Sequence, residues 1–541
     1  MARGQIVVDT TSRLPCSSNP DLKPGSRTPN HFPADRVDCG VKRIGIVDMG
    51  SGSARLVVYD YEPGAWYRLT DEVREPVRLG EGFAATGELE PAAIDRAVSA
   101  LRMYADYAQA TNLVRLEVIA TSAVREAANQ SGFFARLKGL PLEFHVLSGE
   151  EEAQYGALAV ANSFDLGDAW VMDLGGGSAQ LSRLEGRRWV RGQAFPLGGV
   201  RLTEMFLKGT KTSDKGIGKL ESFVKKEMGN LLEQVRKEPA PLIAMGGTIR
   251  NLAKAIQRDI GYPVELLHGF TIKRYSLEKL VEKMIKLEPD DRAGISGINP
   301  DRADVILAGA LVYQTVMREA GLEELQVSGQ GVREGAFWRH FMPDPHLIPD
   351  VRSFSVQNLF AHYPQPLEHT KKVRLLSRRL FEGLESLHGY GSFEARLLDD
   401  AAHLHDIGMA VNYYDHHKHS AYLISNTALP GFTHREQALL ALLTQYHRKG
   451  EPKLGAFKSV LELDDDKRLL RLSACLRLAE FLERSRAGRV KDLSVEIDKK
   501  SVRIRLQARE EPHVEMREAS KQSGLFKRAF GREMILESDK T

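Results

Sequence analysis

The sequence has little cysteine and no long apolar run. Its 541 residues include three cysteines, Cys16, Cys39 and Cys475, whose spacing matches neither a zinc site nor a redox motif. Sparse cysteine is typical of a reducing compartment, so we predict a cytoplasmic location. No uninterrupted apolar stretch approaches the ~18 residues of a membrane span, and we therefore expect no membrane association.

An excess of charge of one sign is also absent. The 75 Lys and Arg residues nearly balance 72 Asp and Glu residues, which leaves a net charge of +3. Bulk charge therefore gives no reason to expect a nucleic-acid partner, and any site for a polyanion has to be local. With 42% hydrophobic and 27% charged residues, the composition is that of a globular protein, and the length predicts three or four domains.

The order of sequence patterns predicts an α/β protein with a helical second half. Short β-rich runs alternate with helical patterns from Lys42 onward, and three prolines within residues 341–350 indicate a linker. Helical spacing dominates after the linker, and two alternating runs near the end predict a hairpin. The predicted domains are a disordered leader (1–40), a first lobe (41–165), a second lobe whose last helix returns to the first (166–342), a helical domain (351–488) and a small α+β domain (489–541).

Two stretches, residues 44–53 and 170–178, read almost as copies of each other. In each, a β-branched run ends in an aspartate, Asp48 or Asp173, and continues into a turn of glycine and serine. Glycine lets the backbone approach an anion, and an aspartate at the strand end can hold a divalent cation against it. The duplication predicts two facing lobes that grip one phosphorylated ligand, with two ordinary hairpins as the alternative.

Carboxylates and arginines follow other predicted strands. Residues 150–152 are three glutamates in the first turn of a predicted helix, where they either stabilise the helix end or orient a water beside a phosphate. Arg55 and Arg125 follow strand ends, and guanidinium groups match phosphate oxygens, although a plain surface role is the alternative for each. Gly246, Gly247 and Thr248 form a further tight turn.

These motifs, taken together and in order, resemble the exopolyphosphatase and guanosine pentaphosphate phosphohydrolase (Ppx/GppA) family, within the superfamily of actin and the sugar kinases. The resemblance runs from about Val41 to the C-terminus. It rests on residues 48–55, 120–125, 148–153, 173–178, 246–248, 268–269, 302–309 and 331–335.

The resemblance implies two ribonuclease-H-like lobes that remove the terminal phosphoryl group of inorganic polyphosphate or of guanosine pentaphosphate, with Mg²⁺ or Mn²⁺. It assigns water activation to Glu152 and metal binding to Asp48 and Asp173. Arg125 and Gln180 are the other predicted catalytic residues. The predicted substrate-binding residues are Gly50, Ser51, Ser53, Arg55, Gly175, Gly176, Gly177, Ser178, Gly246, Gly247 and Thr248.

The sequence departs from the family pattern at three places. Gly52 stands where the family has Asn, Gln154 where it has Arg, and Ala179-Gln180 where it has Thr-Glu. The last change replaces a carboxylate near the predicted metal by a neutral amide, which binds cations less well. We therefore expect slower turnover or a metal that is held differently.

The second half contains His369, His405-Asp406 and further histidines, a composition that can bind divalent metal. It resembles the HD phosphohydrolase fold that longer exopolyphosphatases carry, and this implies a second metal site formed by His369, His405, Asp406 and Glu480. Glu480 stands where an HD enzyme has Asp. In the family this domain is commonly structural or guides the substrate, and basic residues on its helices are a predicted track for a polyanion, or simply solvated helix faces.

Three rival functions stay open at this stage. The first is a sugar-kinase-like or ATPase member of the superfamily. The second is a catalytically weak protein that binds polyphosphate or guanosine alarmones, which Gln180 favours, and the third is a phosphohydrolase that works through its HD-type domain. A homodimer formed through the helical half is predicted by analogy alone.

Overall fold

The computed structural model describes residues 40–209, 212–364 and 366–540. The predicted disordered leader, apart from Gly40, lies outside these residues. Within them, no helix combines the length and the apolar character that crossing a bilayer requires. These residues form two compact units, which divide between Ser148 and Gly149.

The first unit contains one five-stranded sheet of order β3-β2-β1-β4-β5. The first three strands are antiparallel neighbours, and β4 and β5 continue the sheet in parallel with β1. Helix α2 buries an alanine-rich face against the sheet. The elements are β1 (Lys42–Met49), β2 (Ala54–Glu62), β3 (Trp66–Glu75), α1 (Phe83–Thr86), α2 (Pro91–Ala110), β4 (Arg115–Ala120), α3 (Ser122–Glu126), α4 (Gln130–Leu137) and β5 (Glu143–Val146).

The second unit begins with a lobe that repeats this plan. Its sheet has the order β10-β11-β9-β6-β7-β8, in which β8, β7, β6, β9 and β11 follow the strand order of the first lobe and β10 adds an antiparallel edge. The elements are α5 (Gly149–Ala161), β6 (Ala169–Leu174), β7 (Ala179–Glu185), β8 (Arg188–Phe195), α6 (Gly199–Phe206), α7 (Asp214–Lys237), β9 (Leu242–Met245), α8 (Gly247–Asp259), β10 (Thr271–Lys273), α9 (Arg274–Ile285), α10 (Ile306–Ala320), β11 (Glu324–Val327) and α11 (Val332–Phe341).

Helix α5 belongs to the second unit, although the sequence analysis placed it in the first lobe. Its small side chains, such as Ala157 and Val160, share a buried cluster with residues of β6 and β9, including Val171 and Ile243. Because alanine and glycine allow close approach, the helix packs directly onto this sheet. It also packs against α11, the helix that the sequence analysis expected to return to the first lobe.

Helices dominate after the proline-rich segment, as the periodicity predicts. They build a core separate from that of the second lobe, with leucines such as Leu376, Leu397 and Leu476 fully buried. The elements are α12 (Val351–Ala361), α13 (Leu367–Gly383), α14 (Glu385–His388), α15 (Ser392–Leu404), α16 (His416–Asn426), α17 (His434–Tyr446) and α18 (Asp465–Leu482).

The C-terminal segment packs on these helices through the same core. The predicted hairpin is present as β12 (Val490–Ile497) and β13 (Ser501–Ala508), which pair antiparallel. A third strand, β14 (Glu533–Lys540), pairs in parallel with β13 after helices α19 (His513–Ser520) and α20 (Ser523–Phe530). Residues 489–540 therefore complete the helical domain and have no separate core.

Candidate active site of the lobes

The first repeated loop closes the hairpin of β1 and β2. The amide of Gly50 donates to the carbonyl of Ser53 at 3.1 Å. The loop is held from outside by two further bonds, from the Gly80 amide to the Ser51 carbonyl at 2.8 Å and from the Arg78 amide to the Gly52 carbonyl at 2.9 Å. The predicted substrate-binding residues Gly50, Ser51 and Ser53 therefore lie in a short loop of fixed shape.

Three predicted site residues flank this loop in the first unit. Asp48 is half-buried near the end of β1, and Arg55 lies directly opposite it on β2. The Arg55 guanidinium pairs with Glu72 on β3, with Nη1 3.0 Å from Oε1. Arg125, on α3, donates from Nη1 to the carbonyl of Leu147 at 2.6 Å. Both arginines thus have protein partners that set their position.

The second repeated loop has the same closure. The Gly175 amide donates to the Ser178 carbonyl at 2.9 Å, and the start of α6 holds the loop from outside. The carbonyls of Gly175 and Gly176 accept bonds from the amides of Gly199 and Val200, and Arg201 Nε donates to the Gly177 carbonyl at 2.9 Å. Because α6 engages the loop through its carbonyls and the Gly175 amide bonds Ser178, the amides of Gly176 and Gly177 are the backbone groups suited to an anion.

Asp173 and Gln180 lie in one row across the second sheet. Asp173 on β6 is paired in register with Gln180 on β7, which is paired with Ala194 on β8. Gln180 is buried and donates from Nε2 to the Ser178 hydroxyl at 3.0 Å. Helix α5 starts against the same row, since a Cβ on Gly149 would lie 2.6 Å from Ala194 Cβ.

The start of α5 brings Glu152 to this edge of the sheet. Its side chain is buried, whereas those of Glu150 and Glu151 in the same helical turn are exposed. The next residue, Ala153, accepts a bond from the Ser182 hydroxyl of β7 at 3.3 Å. Of the three glutamates, Glu152 is therefore the one that faces the protein interior.

The turn after β9 lies against Asp173. Gly246 has a φ of 99°, and a Cβ on it would lie 2.8 Å from Asp173 Oδ1. The guanidinium of Arg302 lies against Gly247, where a Cβ would be 2.4 Å from Nη2. Arg302 belongs to one of the motifs that carry the family resemblance, but it was not predicted as a site residue. The structure places Arg302 at the site through its contact with the glycine turn.

The negative charge of Asp173 affects the pKa of a buried tyrosine, Tyr313. Tyr313 donates its hydroxyl to the Met245 carbonyl at 3.0 Å. Burial, with the nearby negative charge of Asp173, raises the pKa of Tyr313 well above its usual value. Tyr313 therefore stays neutral and supports the end of β9, just before the glycine turn.

A second group of predicted residues meets in the helical domain. His369 on α13, His405 and Asp406 at the end of α15, and Glu480 on α18 are all buried. His369 Nε2 lies 3.1 Å from Glu480 Oε2 and 3.7 Å from Asp406 Oδ2, and His405 Nε2 lies 3.4 Å and 3.6 Å from the same two atoms. The side chain of Glu480, which is one methylene longer than that of aspartate, thus reaches the histidines.

Burial and charge act in opposite directions on these groups. Burial favours a neutral His405, but the charges of Asp406 and Glu480 outweigh it and raise the pKa of His405 to about 9. Burial also opposes ionisation of Glu480, and its bonds with His369 and His405 nevertheless hold the carboxyl pKa well below its usual value. The four predicted residues form one charged group inside the protein.

His416 and His447 are two of the further histidines of the second half, and neither was predicted as a ligand of the metal site. In the structure, both side chains lie on the other oxygen of Asp406. The spacing between His405 and His447 in the chain gives no hint of this, because α16 and α17 separate them.

The basic residues of α13 are mostly paired with carboxylates. Lys371 pairs with Glu368 and Arg378 with Glu382 on the same helix. Arg374 binds Asp399 and Arg379 binds Asp492 in neighbouring elements. This helix therefore presents a locally neutralised face, which weakens the predicted basic track along it.

The duplicated lobes, with their mixed sheets and glycine loops, define an actin-like ATPase-type α/β fold. A model of the Ppx/GppA phosphatase family matches residues 57–342, and a model of Ppx/GppA phosphatase domain III matches residues 351–520. The first match alone spans more than half of the chain. The chain therefore belongs to the Ppx/GppA phosphatase family, as the sequence motifs predict.

Solved structures resemble part of the chain. An exopolyphosphatase from Cytophaga hutchinsonii is 21% identical with a TM-score of 0.52, and the match covers 56% of this chain and 98% of that one. The Aquifex aeolicus Ppx/GppA family member is 27% identical with a TM-score of 0.48, over 55% of this chain and 96% of that one. The helical domain corresponds to the family's domain III, and its HD-type character stays a prediction.

Proposed function

We propose that this phosphatase hydrolyses the terminal phosphoryl group of inorganic polyphosphate or guanosine pentaphosphate, using a water that Glu152 activates. The row of Asp173 and Gln180, with the start of α5 against it, carries the proposal. The start of α5 brings the buried carboxylate of Glu152 to the edge of the sheet that also holds the glycine loop of residues 175–178. Phosphoryl transfer depends mainly on such positioning and on charge neutralisation.

In the proposed reaction, the water oxygen attacks the terminal phosphorus and gives a proton to the Glu152 carboxylate. The bond between this phosphorus and the bridging oxygen breaks, and the shortened chain leaves with its oxygen negatively charged. Arg125 and the loop residues Gly175–Ser178, with the matching loop of the first lobe, are proposed to bind phosphate oxygens.

The surroundings of Asp173 fit a magnesium ion. Because Gly246 lacks a side chain, one face of the Asp173 carboxylate has space that a Cβ would occupy. Mg²⁺ prefers carboxylate oxygens and substrate phosphates, and we propose that Asp173 and Asp48 hold it. When bound, the ion neutralises charge on the reacting phosphate. A homodimer and a cytoplasmic location remain predictions.

One observation favours a second function, binding of polyphosphate or guanosine alarmones with little turnover. Gln180 uses its amide nitrogen to bond Ser178, and it offers the metal at most a neutral oxygen where the family has a carboxylate. Tight binding without phosphate release would identify this function.

The test is phosphate release from long-chain polyphosphate and from guanosine pentaphosphate in the presence of Mg²⁺. Glu152→Gln removes the base and keeps the shape, so we expect release to fall about 100-fold or more. Glu150→Gln, on the exposed side of the same helical turn, is the matched control and should keep wild-type activity. Equal activity of the wild-type protein and Glu152→Gln would refute the assignment.

A further inference from the structure

A groove of about 480 Å³ lies on the second lobe, between the end of α6 and the first half of α7. Its lining is mainly apolar and includes two aromatic rings. Phe206, the last residue of α6, packs against Phe223 of α7 with the ring centroids 5.5 Å apart. Both rings are only partly buried, so part of this aromatic surface reaches solvent.

Two small residues of α7 keep the groove open. Gly218 and Ser222 both line it, and the Ser222 hydroxyl donates back to the Gly218 carbonyl at 2.7 Å. Among the described residues, nothing lies within 4 Å of a Cβ built on Gly218. Glycine inside a helix costs roughly 0.5–1 kcal/mol relative to alanine. Packing within the protein therefore gives no reason for glycine at this position.

Three lysines of α7, Lys215, Lys219 and Lys226, line the same groove and are exposed. In the part of the chain that the structure describes, none of them forms an ion pair. The sequence offers none on the helix either, because no Asp or Glu stands three or four residues from any of the three. Two of them are themselves four residues apart, and like charges at this spacing destabilise a helix.

The neighbouring lysine on the same helix is neutralised. Lys225 is not part of the groove lining, and its Nζ lies 2.8 Å from Glu319 Oε1. The basic residues of α13 are likewise mostly paired with carboxylates, as described above. The groove therefore combines an open aromatic surface with positive charge that the protein itself does not balance.

We propose that this groove binds a nucleotide, with the base on Phe206 and Phe223 and the phosphates on the lysines. Aromatic side chains stack on nucleobases, and ammonium groups bind phosphate oxygens. The volume lies within the roughly 300–1,000 Å³ that is usual for small-molecule sites. The groove is formed at the end of α6, whereas the start of α6 holds the second glycine loop. The site is thus separate from the proposed active site and does not depend on the proposed function.

The test is calorimetric titration of the full-length protein with ADP in the presence of a chelator. The lysines need no metal to bind phosphate, whereas the proposed active site does, so the chelator favours binding at the groove. We expect one ADP per chain. The double variant Lys219→Gln/Lys226→Gln should bind ADP about 10-fold more weakly or worse.

Two single variants sharpen the assignment. Phe223→Leu keeps an apolar side chain but removes a stacking ring, so we expect ADP affinity to fall about 5-fold or more. Lys225→Gln, on the same helix but outside the groove, is the matched control and should bind ADP as the wild type does. Thermal unfolding of each variant checks that it is folded.

A comparison of ligands on the wild type does not depend on variants. Adenosine and inorganic pyrophosphate each carry one half of ADP, so each should bind at least about 10-fold more weakly than ADP. Pyrophosphate that binds as tightly as ADP would show that the aromatic surface contributes nothing and would overturn the proposal. Absence of ADP binding, or equal ADP affinity in the wild type and the double lysine variant, would also overturn it.

Discussion

The first and second lobes share a strand order and a loop closure. They differ in the residue that is paired with the aspartate on the neighbouring strand. Asp48 faces Arg55, and the equivalent Asp173 faces Gln180. Arg55 is tied to Glu72, whereas Gln180 is buried and bonds Ser178. The duplicated backbone thus presents two similar glycine loops. The residue paired with the aspartate is cationic in the first lobe, Arg55, and neutral in the second, Gln180.

The lobes differ also in how their loops are supported. In the first lobe, amides of residues 78 and 80 bond the loop carbonyls. In the second, the start of α6 comes so close that only glycine fits at residue 198, since a Cβ there would lie 2.2 Å from the Gly176 carbonyl oxygen. The second loop therefore depends on backbone contact that a side chain would break.

Gly198→Ala should give the largest effect. Its φ and ψ are ordinary for alanine, so the expected damage is steric: the added methyl group pushes α6 away from residues 175–177. We expect a loss of about 3 kcal/mol in the free energy of unfolding, measured with urea, and a large loss of phosphate release.

The matched control is Gly52→Ala in the first loop, where nothing lies within 4 Å of an added Cβ. It should change stability by less than ~0.5 kcal/mol. If both alanine variants are equally stable, the two loops are supported in the same way and the comparison fails.

A second difference is that the second lobe contacts the helical domain through histidines. His268 Nε2 lies 2.9 Å from the Ser163 carbonyl, and the His268 carbonyl lies 2.9 Å from His434 Nε2. Burial outweighs the Ser163 bond and lowers the pKa of His268 to about 4. The His268 ring is therefore neutral in the folded protein near pH 7 and lies next to a carbonyl that contacts His434.

Acid should lower the stability of the protein through the His268 ring. The unfolded chain takes up a proton near pH 6.5, and the folded ring does so near pH 4, so stability is complete above pH 6.5 and falls as the pH drops towards 4. We expect His268 to account for a loss of about 1–2 kcal/mol between pH 7.5 and 5. Urea unfolding at several pH values, compared with His268→Gln, measures it.

The glutamine keeps an N–H donor and does not titrate, so the variant should show a shallower loss of stability in this range. His145→Gln, on β5 of the first lobe with a ring 51% exposed, serves as the control for removing a histidine elsewhere. A pH profile of His268→Gln that coincides with the wild-type profile would contradict the prediction.

The sequence predicted the features that are local in the chain. Strands β1 and β6 follow from β-branched runs that end in an aspartate before a glycine turn, and the internal copy of this run predicted the duplicated lobe. The helical stripe of α13 and the hairpin of β12 and β13 also follow from periodicity. Apart from the internal copy, each of these signals depends on residues that are close to one another in the chain.

Features that join distant parts of the chain were missed. Strand β14 pairs with β13 across two helices, and its mixed sequence, EMILESDK, carries no clear alternation. The contact of α5 with β7 and β8 and the position of His416 and His447 around Asp406 depend on packing that no spacing rule contains. The roles of Glu152, Asp48 and Asp173 were inferred from resemblance and stay predictions.

The smallest effect expected concerns the position at which the lobes diverge. Gln180→Glu would place a second carboxylate beside Asp173 in a buried row, and like charges repel there unless a cation lies between them. Without Mg²⁺ we expect the variant to unfold about 1 kcal/mol more easily than the wild type. With Mg²⁺ the deficit should shrink, because the added carboxylate gains a partner and binds the ion more tightly than an amide does.

Thermal unfolding in a chelator and in saturating Mg²⁺ measures both states, and Gln193→Glu on the exposed side of β8 is the matched control. If Mg²⁺ stabilises Gln180→Glu no more than it stabilises Gln193→Glu, the ion does not bind at Asp173, and the neutral neighbour of this aspartate has another cause.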